Sequence, residues 1–318
     1  MLIDRLNSAI PIIIVIALCF FLPFEYGRML FLPVAALMLF LACHETFELL
    51  NPPYKKALKI ISIVYGLTTI FVPIFAVAIL HDVNWADFMI TSYVGIDHVL
   101  LCLTIIAAFC VCFKDAPTKE NVNGTLAAIG ATVFIPWALS FIPKIFYLCL
   151  TSNTVHLNTT DTRPVLFFMI LVTKIADTGA FAAGSWTAKR PGGNHKLIPL
   201  VSPKKSWEGL IGGTVASVVT ALICYFYWPA SVTVGDIKIF GIVEVIIIGI
   251  LASVIGLLGD LAESALKRAA GAKDSGHLPG IGGILDTLDS LIFVAPLFYG
   301  YLMLKIFHFI AKCIGSDI

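Results

Sequence analysis

Charge is scarce in this chain. Asp, Glu, Lys and Arg make up 13% of its 318 residues, about half the share usual in a soluble globular domain. The formal net charge of +1 argues against a nucleic-acid partner, which calls for a basic stripe or patch. The eight cysteines include no C-x-x-C pair: Cys110 and Cys112 stand too close together, and no other spacing fits a zinc site. Cys19, Cys43, Cys102 and Cys224 lie in apolar runs, and all the cysteines read as small core residues. The seven histidines likewise lack a ligand spacing. No internal repeat, low-complexity tract or linker between soluble domains occurs.

Hydrophobic residues fill the remainder, at 59% of the chain with a mean hydropathy of +0.95. The composition predicts an all-α, polytopic integral membrane protein. A span needs about 20 apolar residues, and about nine transmembrane helices are expected, near residues 9–24, 29–50, 58–80, 98–113, 123–148, 164–188, 208–228, 239–258 and 290–313. The first run follows Asp4 and Arg5 and leads into Pro23, Glu25 and Tyr26 with no small-residue cleavage site, so it reads as a retained span. Residues 1–163 are expected to form N-terminal membrane helices, and 164–318 a C-terminal catalytic region with polar loops on the cytoplasmic face.

Lysine and arginine set the orientation. With the N-terminus cytoplasmic, Arg5, Lys55, Lys56, Lys59, Lys114, Lys119, Lys189, Arg190, Lys196, Lys204, Lys205, Lys267, Arg268 and Lys273 fall inside. Only Arg28, Lys144, Arg163, Lys238 and Lys312 fall outside, as the positive-inside rule requires. Asp82, Asp87 and Asp97, between residues 81 and 98, have no basic partner nearby and read as a solvated outer loop. The outer run Thr151–Thr162 holds an N-x-T match at Asn158, too common a pattern to carry weight.

Polar chemistry concentrates in three stretches. In the sixth run Lys174 and Asp177 stand one turn apart, where either charge alone costs about 2.5–3.5 kcal/mol at the centre of a membrane helix. They are expected to pair with each other or with a ligand, and Thr178, Gly179, Gly184 and Ser185 give that helix a small-residue face. The next loop brings Lys189, Arg190, His195, Lys196, Ser202, Lys204, Lys205, Ser206 and Glu208 together before a new span. Ser206 suits an N-cap there and Glu208 a first turn. The third stretch is LGDLAESALKRAAGAKDSGHLPGIGGILDTLDSL, from Leu258 to Leu291. Ser253, Gly256, Asp260, Glu263, Ser264 and Lys267 recur every three or four residues and so share one helix face. Pro279, Gly280, Gly282 and Gly283 then break the helix and expose backbone N–H groups suited to phosphate oxygens. A last helix is expected near Ile284, with Asp286 and Asp289 one turn apart at its start. Single aspartates there would read as caps. Asp260 and Glu263 at the C-terminal end of a helix oppose the macrodipole, and capping does not explain them. Near the inner end of the second run, His44, Glu45 and Glu48 could reach the same region or merely snorkel.

Together KIADTGAFAAG, HKLIPLVSPKKSWEGLIGG and the stretch from Leu258 to Leu291 resemble the phosphatidate cytidylyltransferases, also called CDP-diacylglycerol synthases. The likeness is dense from Thr173 to Leu291 and covers Ser264, Lys267, Arg268, Lys273, Asp274, Pro279, Gly280, Gly282, Gly283, Asp286 and Asp289. It departs from the family at Ile281, where histidine is usual, at Thr287, where arginine is usual, and in a loop before Pro279 that is one residue short. The resemblance implies a multi-pass enzyme of the cell inner membrane or plasma membrane with its active site facing the cytoplasm, and a homodimer as a possible assembly. The implied reaction is attack by the phosphate of phosphatidic acid on the α-phosphorus of CTP. It also implies Mg²⁺, with room for a second cation, on Asp260, Asp286 and Asp289. Lys267, Arg268, Lys273, Asp274 and Ser264 would act on the reacting phosphates. Lys196, Ser202, Lys204, Lys205, Glu208 and Asp177 would bind substrate. A transporter using Lys174 and Asp177 is disfavoured because paired, glycine-interrupted halves are absent.

Overall fold

A backbone surrounded by hydrocarbon has to satisfy its own N–H and C=O groups, and a helix does so within one segment. The computed structural model describes residues 2–50, 56–79, 85–148, 161–235, 237–276 and 282–315, and it is mostly helical. The first half comprises α1 (Leu2–Phe21), α2 (Phe24–Leu49), α3 (Lys56–Ile79), α4 (Trp85–Cys112) and α5 (Lys119–Thr132). A π-helical turn at Val133–Trp137 around Pro136 follows, then α6 (Phe141–Phe146). The second half runs α7 (Arg163–Thr187), β1 (Lys196–Ile198), β2 (Ser202–Ser206), α8 (Trp207–Tyr227), β3 (Thr233–Val234), β4 (Ile237–Lys238), α9 (Ile242–Ala269), α10 (Ile284–Leu288) and α11 (Leu291–Gly315).

Among the described residues, six helices are long and apolar enough to cross a membrane: Phe24–Leu49, Lys119–Phe146, Arg163–Thr187, Trp207–Tyr227, Ile242–Ala269 and Leu291–Phe309. The protein is therefore a polytopic membrane protein. Two expectations are corrected at this level. The segment before residue 98 is helical from Trp85 onward, and Asp97 is buried in it, paired with Lys144. The partner comes from 47 residues away, so a search of the neighbouring sequence does not find it. Cys102 and Cys110 lie exposed on α4 and are not core residues. Residues 51–55, Asp82, Asn158 and residues 279–281 lie outside the described residues.

The chain divides into two compact units, one of Met1–Asn158 with Ala270–Leu288 and the other of Thr159–Ala269 with Asp289–Ile318. In the first, Cys43, Phe47, Leu58, Ala108, Ala128 and Ala131 form a buried core between α2, α3, α4 and α5. Phe31 stacks on Phe146 with ring centroids 3.6 Å apart. Lys144 also donates to Ser140 Oγ at 3.0 Å, so the buried ammonium is matched by a carboxylate and a hydroxyl.

In the second unit α7, α8 and α9 pack through small residues, which bring backbones close where lipid supplies no hydrophobic drive. A Cβ on Gly213 of α8 would stand 2.6 Å from the Ala176 carbonyl oxygen, and one on Gly212 would collide with Ala183. Ser217 Oγ donates to the Val172 carbonyl at 3.0 Å, and Thr214 Oγ1 to Ser253 Oγ at 3.0 Å. At the β3–β4 end of this unit, Glu244 accepts from Tyr301 Oη at 3.0 Å and pairs with Lys305, tying α9 to α11.

Removing one member of the buried Asp97–Lys144 pair strands the other. Lys144→Met is expected to destabilise the detergent-solubilised protein by about 3–5 kcal/mol. The double variant with Asp97→Asn should regain part of that loss, both read from denaturation midpoints.

Candidate active site

The antiparallel hairpin β1–β2 pairs Lys196 with Ser206 and Ile198 with Ser202, and it bridges the end of α7 and the start of α8. Its feet are fastened to both helices. Asn194 Nδ2 donates to the Gly184 carbonyl at 2.9 Å, and the Trp207 N–H donates to the His195 carbonyl at 3.0 Å. Ser206 caps α8 as expected, its Oγ accepting from the Gly209 N–H at 3.1 Å. Glu208 turns to His195, whose Nδ1 lies 2.6 Å from Glu208 Oε1. Its carboxylate thus braces the base of the hairpin.

Between hairpin and helices lies a cavity of about 400 Å³. Lys196, Ser202, Lys204 and Lys205 line it from the hairpin, Asp177, Gly184 and Ser185 from α7, and Ser253 from α9. Five of the six residues expected to bind substrate therefore line one cavity, while Glu208 lies outside the lining. The small-residue face of α7 does two things: Gly184 and Ser185 line the cavity, and Gly179 packs against α8.

Lys205 reaches from the cavity wall to Asp260 Oδ2 and forms an ion pair. Asp260 belongs to a group with Glu263 and Asp289 whose nearest carboxylate oxygens all lie within 4.8 Å of one another. Each carboxylate has its own amine. Lys267 Nζ stands 2.6 Å from the fully buried Glu263. Lys174 Nζ lies 3.7 Å from Asp289 and 3.6 Å from Asp177, and it donates to Ser290 Oγ at 2.7 Å. Ser264 Oγ adds a hydrogen bond to Asp260 Oδ1 at 3.2 Å. Burial pushes the Asp289 carboxyl up to about 6; Lys174 opposes the rise, the neighbouring Asp260 and Asp177 charges reinforce it, and the Ser290 N–H opposes it.

Asp289 is placed by backbone contact. It occupies a turn between α10 and α11, so the final helix is interrupted where the sequence predicts continuity, and Asp286 and Asp289 do not lie on one helical turn. Gly259 of α9 abuts that turn: a Cβ there would collide with the Asp289 carbonyl oxygen.

The remaining expected residues belong to the first unit. Asp286, in α10, accepts from the Ser275 N–H at 2.9 Å, and its Oδ2 lies 2.9 Å from Ser275 Oγ. Lys273 and Asp274 precede Ser275 and are exposed. Gly282 adopts a left-handed conformation, φ 91°. Thr287 Oγ1 donates to the Gly283 carbonyl at 3.3 Å. Arg268 is exposed on the last turn of α9, in the second unit. Glu263 joins the carboxylate group although the sequence reading gave it no ligand role; its place on the stripe with Asp260 was the available signal.

These elements define a class: a helical membrane protein whose lysine-lined cavity adjoins a half-buried carboxylate group, an arrangement suited to polyanionic reactants. The chain matches the cytidylyltransferase family over residues 4–305 and belongs to it. It is 31% identical over 288 residues to the phosphatidate cytidylyltransferase of Staphylococcus haemolyticus (strain JCSC1435), covering 89% of this chain and 94% of that protein. A phosphatidate cytidylyltransferase of Staphylococcus aureus (strain COL) is 30% identical over 289 residues, 89% of this chain and 94% of that protein. That of Haemophilus influenzae (strain ATCC 51907 / DSM 11121 / KW20 / Rd) is 42% identical over 135 residues, 42% of this chain and 44% of that protein.

Because the Asp289 turn is seated on a bare α-carbon, Gly259→Ala is expected to cost about 1–3 kcal/mol of stability through overpacking. A thermal melt of the solubilised variant against wild type reads the loss.

Proposed function

We propose that this chain transfers the cytidylyl group of CTP to phosphatidate, releasing pyrophosphate and leaving CDP-diacylglycerol in the membrane. The observation that carries the proposal is the junction of a lysine-lined cavity with the Asp260–Glu263–Asp289 group through Lys205, in a chain related along most of its length to phosphatidate cytidylyltransferases.

The chemistry asks little of a general base, because the attacking phosphate oxygen of phosphatidate is already anionic. A bond forms from that oxygen to the α-phosphorus of CTP, and the bond from the α-phosphorus to the β-bridging oxygen breaks. The electron pair leaves with pyrophosphate. Charge neutralisation and alignment are what the protein has to supply. Lys196, Lys204 and Lys205 supply positive charge along the cavity wall, and Ser202 supplies a hydroxyl donor. Lys267, Arg268 and Lys273 are assigned to the reacting phosphates, with Ser264 and Asp274 completing hydrogen bonds. Asp177 bounds the cavity and shares Lys174 with Asp289.

The close-set oxygens of Asp260, Glu263 and Asp289 are hard donors that fit a divalent cation of the Mg²⁺ type. When bound, such an ion neutralises phosphate charge and polarises phosphoryl oxygens. Asp286, expected from the sequence as a further ligand, is proposed as essential on the family resemblance. The lysine and arginine distribution supports nine spans, a cytoplasmic N-terminus and a site facing the cytoplasm of the inner or plasma membrane.

The test uses purified protein, phosphatidate, Mg²⁺ and CTP labelled at the α-phosphate. Label entering a CDP-lipid with matching pyrophosphate release is expected. In a parallel arm with CTP labelled at the γ-phosphate, label entering lipid there and not from the α-position would make the protein a lipid kinase, and no lipid product in either arm would end the proposal. Asp286→Asn should abolish turnover while leaving the protein folded; wild-type rates would remove Asp286 from the site. Lys205→Met, which frees Asp260 and strips a cation from the cavity, is expected to lower kcat/KM for CTP by about 10²-fold, on the order of 2–3 kcal/mol of transition-state stabilisation.

A further inference from the structure

A buried acid outside the carboxylate group stands beside Asp286. Glu45 lies in α2 at 8% exposure, far in sequence from every residue assigned to chemistry, and its carboxylate is fully engaged by the strip that carries Asp286. Its Oε1 accepts from the Ile284 N–H at 3.0 Å, across 239 residues. Its Oε2 accepts from the Leu285 N–H at 2.9 Å and from Ser275 Oγ at 3.0 Å. The fit is close: a Cβ on Gly276 would stand 2.6 Å from Glu45 Oε1. A Cβ on Gly283 would strike both Glu45 Oε2 and Ser275 Oγ. The two glycines make room for this one carboxylate.

What the contacts hold is chemically informative. Ser275 follows Lys273 and Asp274 directly, and Leu285 immediately precedes Asp286. Ser275 Oγ also lies 2.9 Å from Asp286 Oδ2 and accepts from the Asp286 N–H at 3.3 Å. One buried acid thus fixes both ends of a strip whose neighbouring side chains are assigned to phosphate chemistry. A neutral core residue cannot replace it, since the Ile284 and Leu285 N–H groups would lose their acceptor. Glutamine keeps one acceptor oxygen but turns an NH₂ group toward a donor. Aspartate keeps the charge and is one methylene short.

We propose that Glu45 is a positioning residue for cytidylyl transfer, acting through Ser275 and the first turn of α10 to set Asp286 and the Lys273–Asp274 pair; the proposal rests on the function proposed above. It touches no substrate, so it acts on alignment, where a misplacement of about 1 Å costs about 10²-fold in rate. Glu45→Ala, Glu45→Gln and Ser275→Ala are compared with wild type, and with His44→Ala as a neighbour whose ring faces Glu48 at 3.2 Å. Two readouts are used, kinetics per folded molecule and amide hydrogen exchange across residues 275–286.

For Glu45→Ala the expected result is a fall in kcat of about 10²-fold, with KM for phosphatidate unchanged. Exchange at Ile284 and Leu285 should quicken by about tenfold or more as their acceptor is lost. Glu45→Gln should fail to rescue, and His44→Ala should match wild type. A merely structural role would lower the melting temperature and the folded yield while leaving kcat per folded molecule within about twofold of wild type, and that result overturns the proposal. Should Glu45→Ala not fold, Ser275→Ala keeps both main-chain contacts of Glu45 and is expected to lose about tenfold in kcat; wild-type kcat there overturns the proposal equally. A wild-type protein inert toward CTP and phosphatidate would overturn the function reading alone. The exchange measurement still decides whether Glu45 holds the strip, and unchanged exchange at Ile284 and Leu285 overturns that holding whatever the substrate.

Discussion

A charge placed among membrane helices has to find its counter-charge inside the protein, and this constraint organises both compact units. In the second unit three acids crowd within a few ångströms, which would be untenable if all were ionised and alone. Lys205, Lys267 and Lys174 each meet one of them. The amines come from three different elements, the hairpin, α9 itself and α7. The carboxylate group is therefore neutralised only when those elements are assembled, and the Lys205 pair also joins it to the cavity wall. In the first unit Asp97 and Lys144 obey the same rule with no chemistry attached.

Much of this was legible in the amino-acid order, for identifiable reasons. Helical periodicity put Asp260, Glu263, Ser264 and Lys267 on one face, and they are there. The cationic run from Lys196 to Lys205 stood out in the sequence, and the hairpin sets Lys196, Lys204 and Lys205 along one cavity. Ser206 announced a cap and is one. What stayed hidden depends on tertiary contact. Asp97 was taken for solvated because its partner lies in a different helix. The interruption between α10 and α11 has no local breaker at Asp289 or Ser290; it follows from the turn being seated against Gly259. Periodicity also cannot say which acids will group, so Glu263 was seen on the stripe but not given a role.

Small residues and charged residues divide the labour. Glycines at Gly213 and Gly259 let backbones approach, and the approach is what sets the distances among side chains that carry charge. Hydroxyls do a third task. Thr214, Ser217, Ser264 and Ser290 bridge elements or tie side chains within the second unit, so polar groups that would be costly in hydrocarbon become cross-links.

The reach of Glu45 has a bearing on how the protein is made. Its acceptors are satisfied by residues 239 positions later, and at about 5–20 residues per second the ribosome needs on the order of ten to fifty seconds to deliver them. Throughout that interval a nascent α2 carries an acid whose final partners do not yet exist. Packing of this helix therefore stays incomplete until residues 284 and 285 have been made, long after α2 itself has left the ribosome.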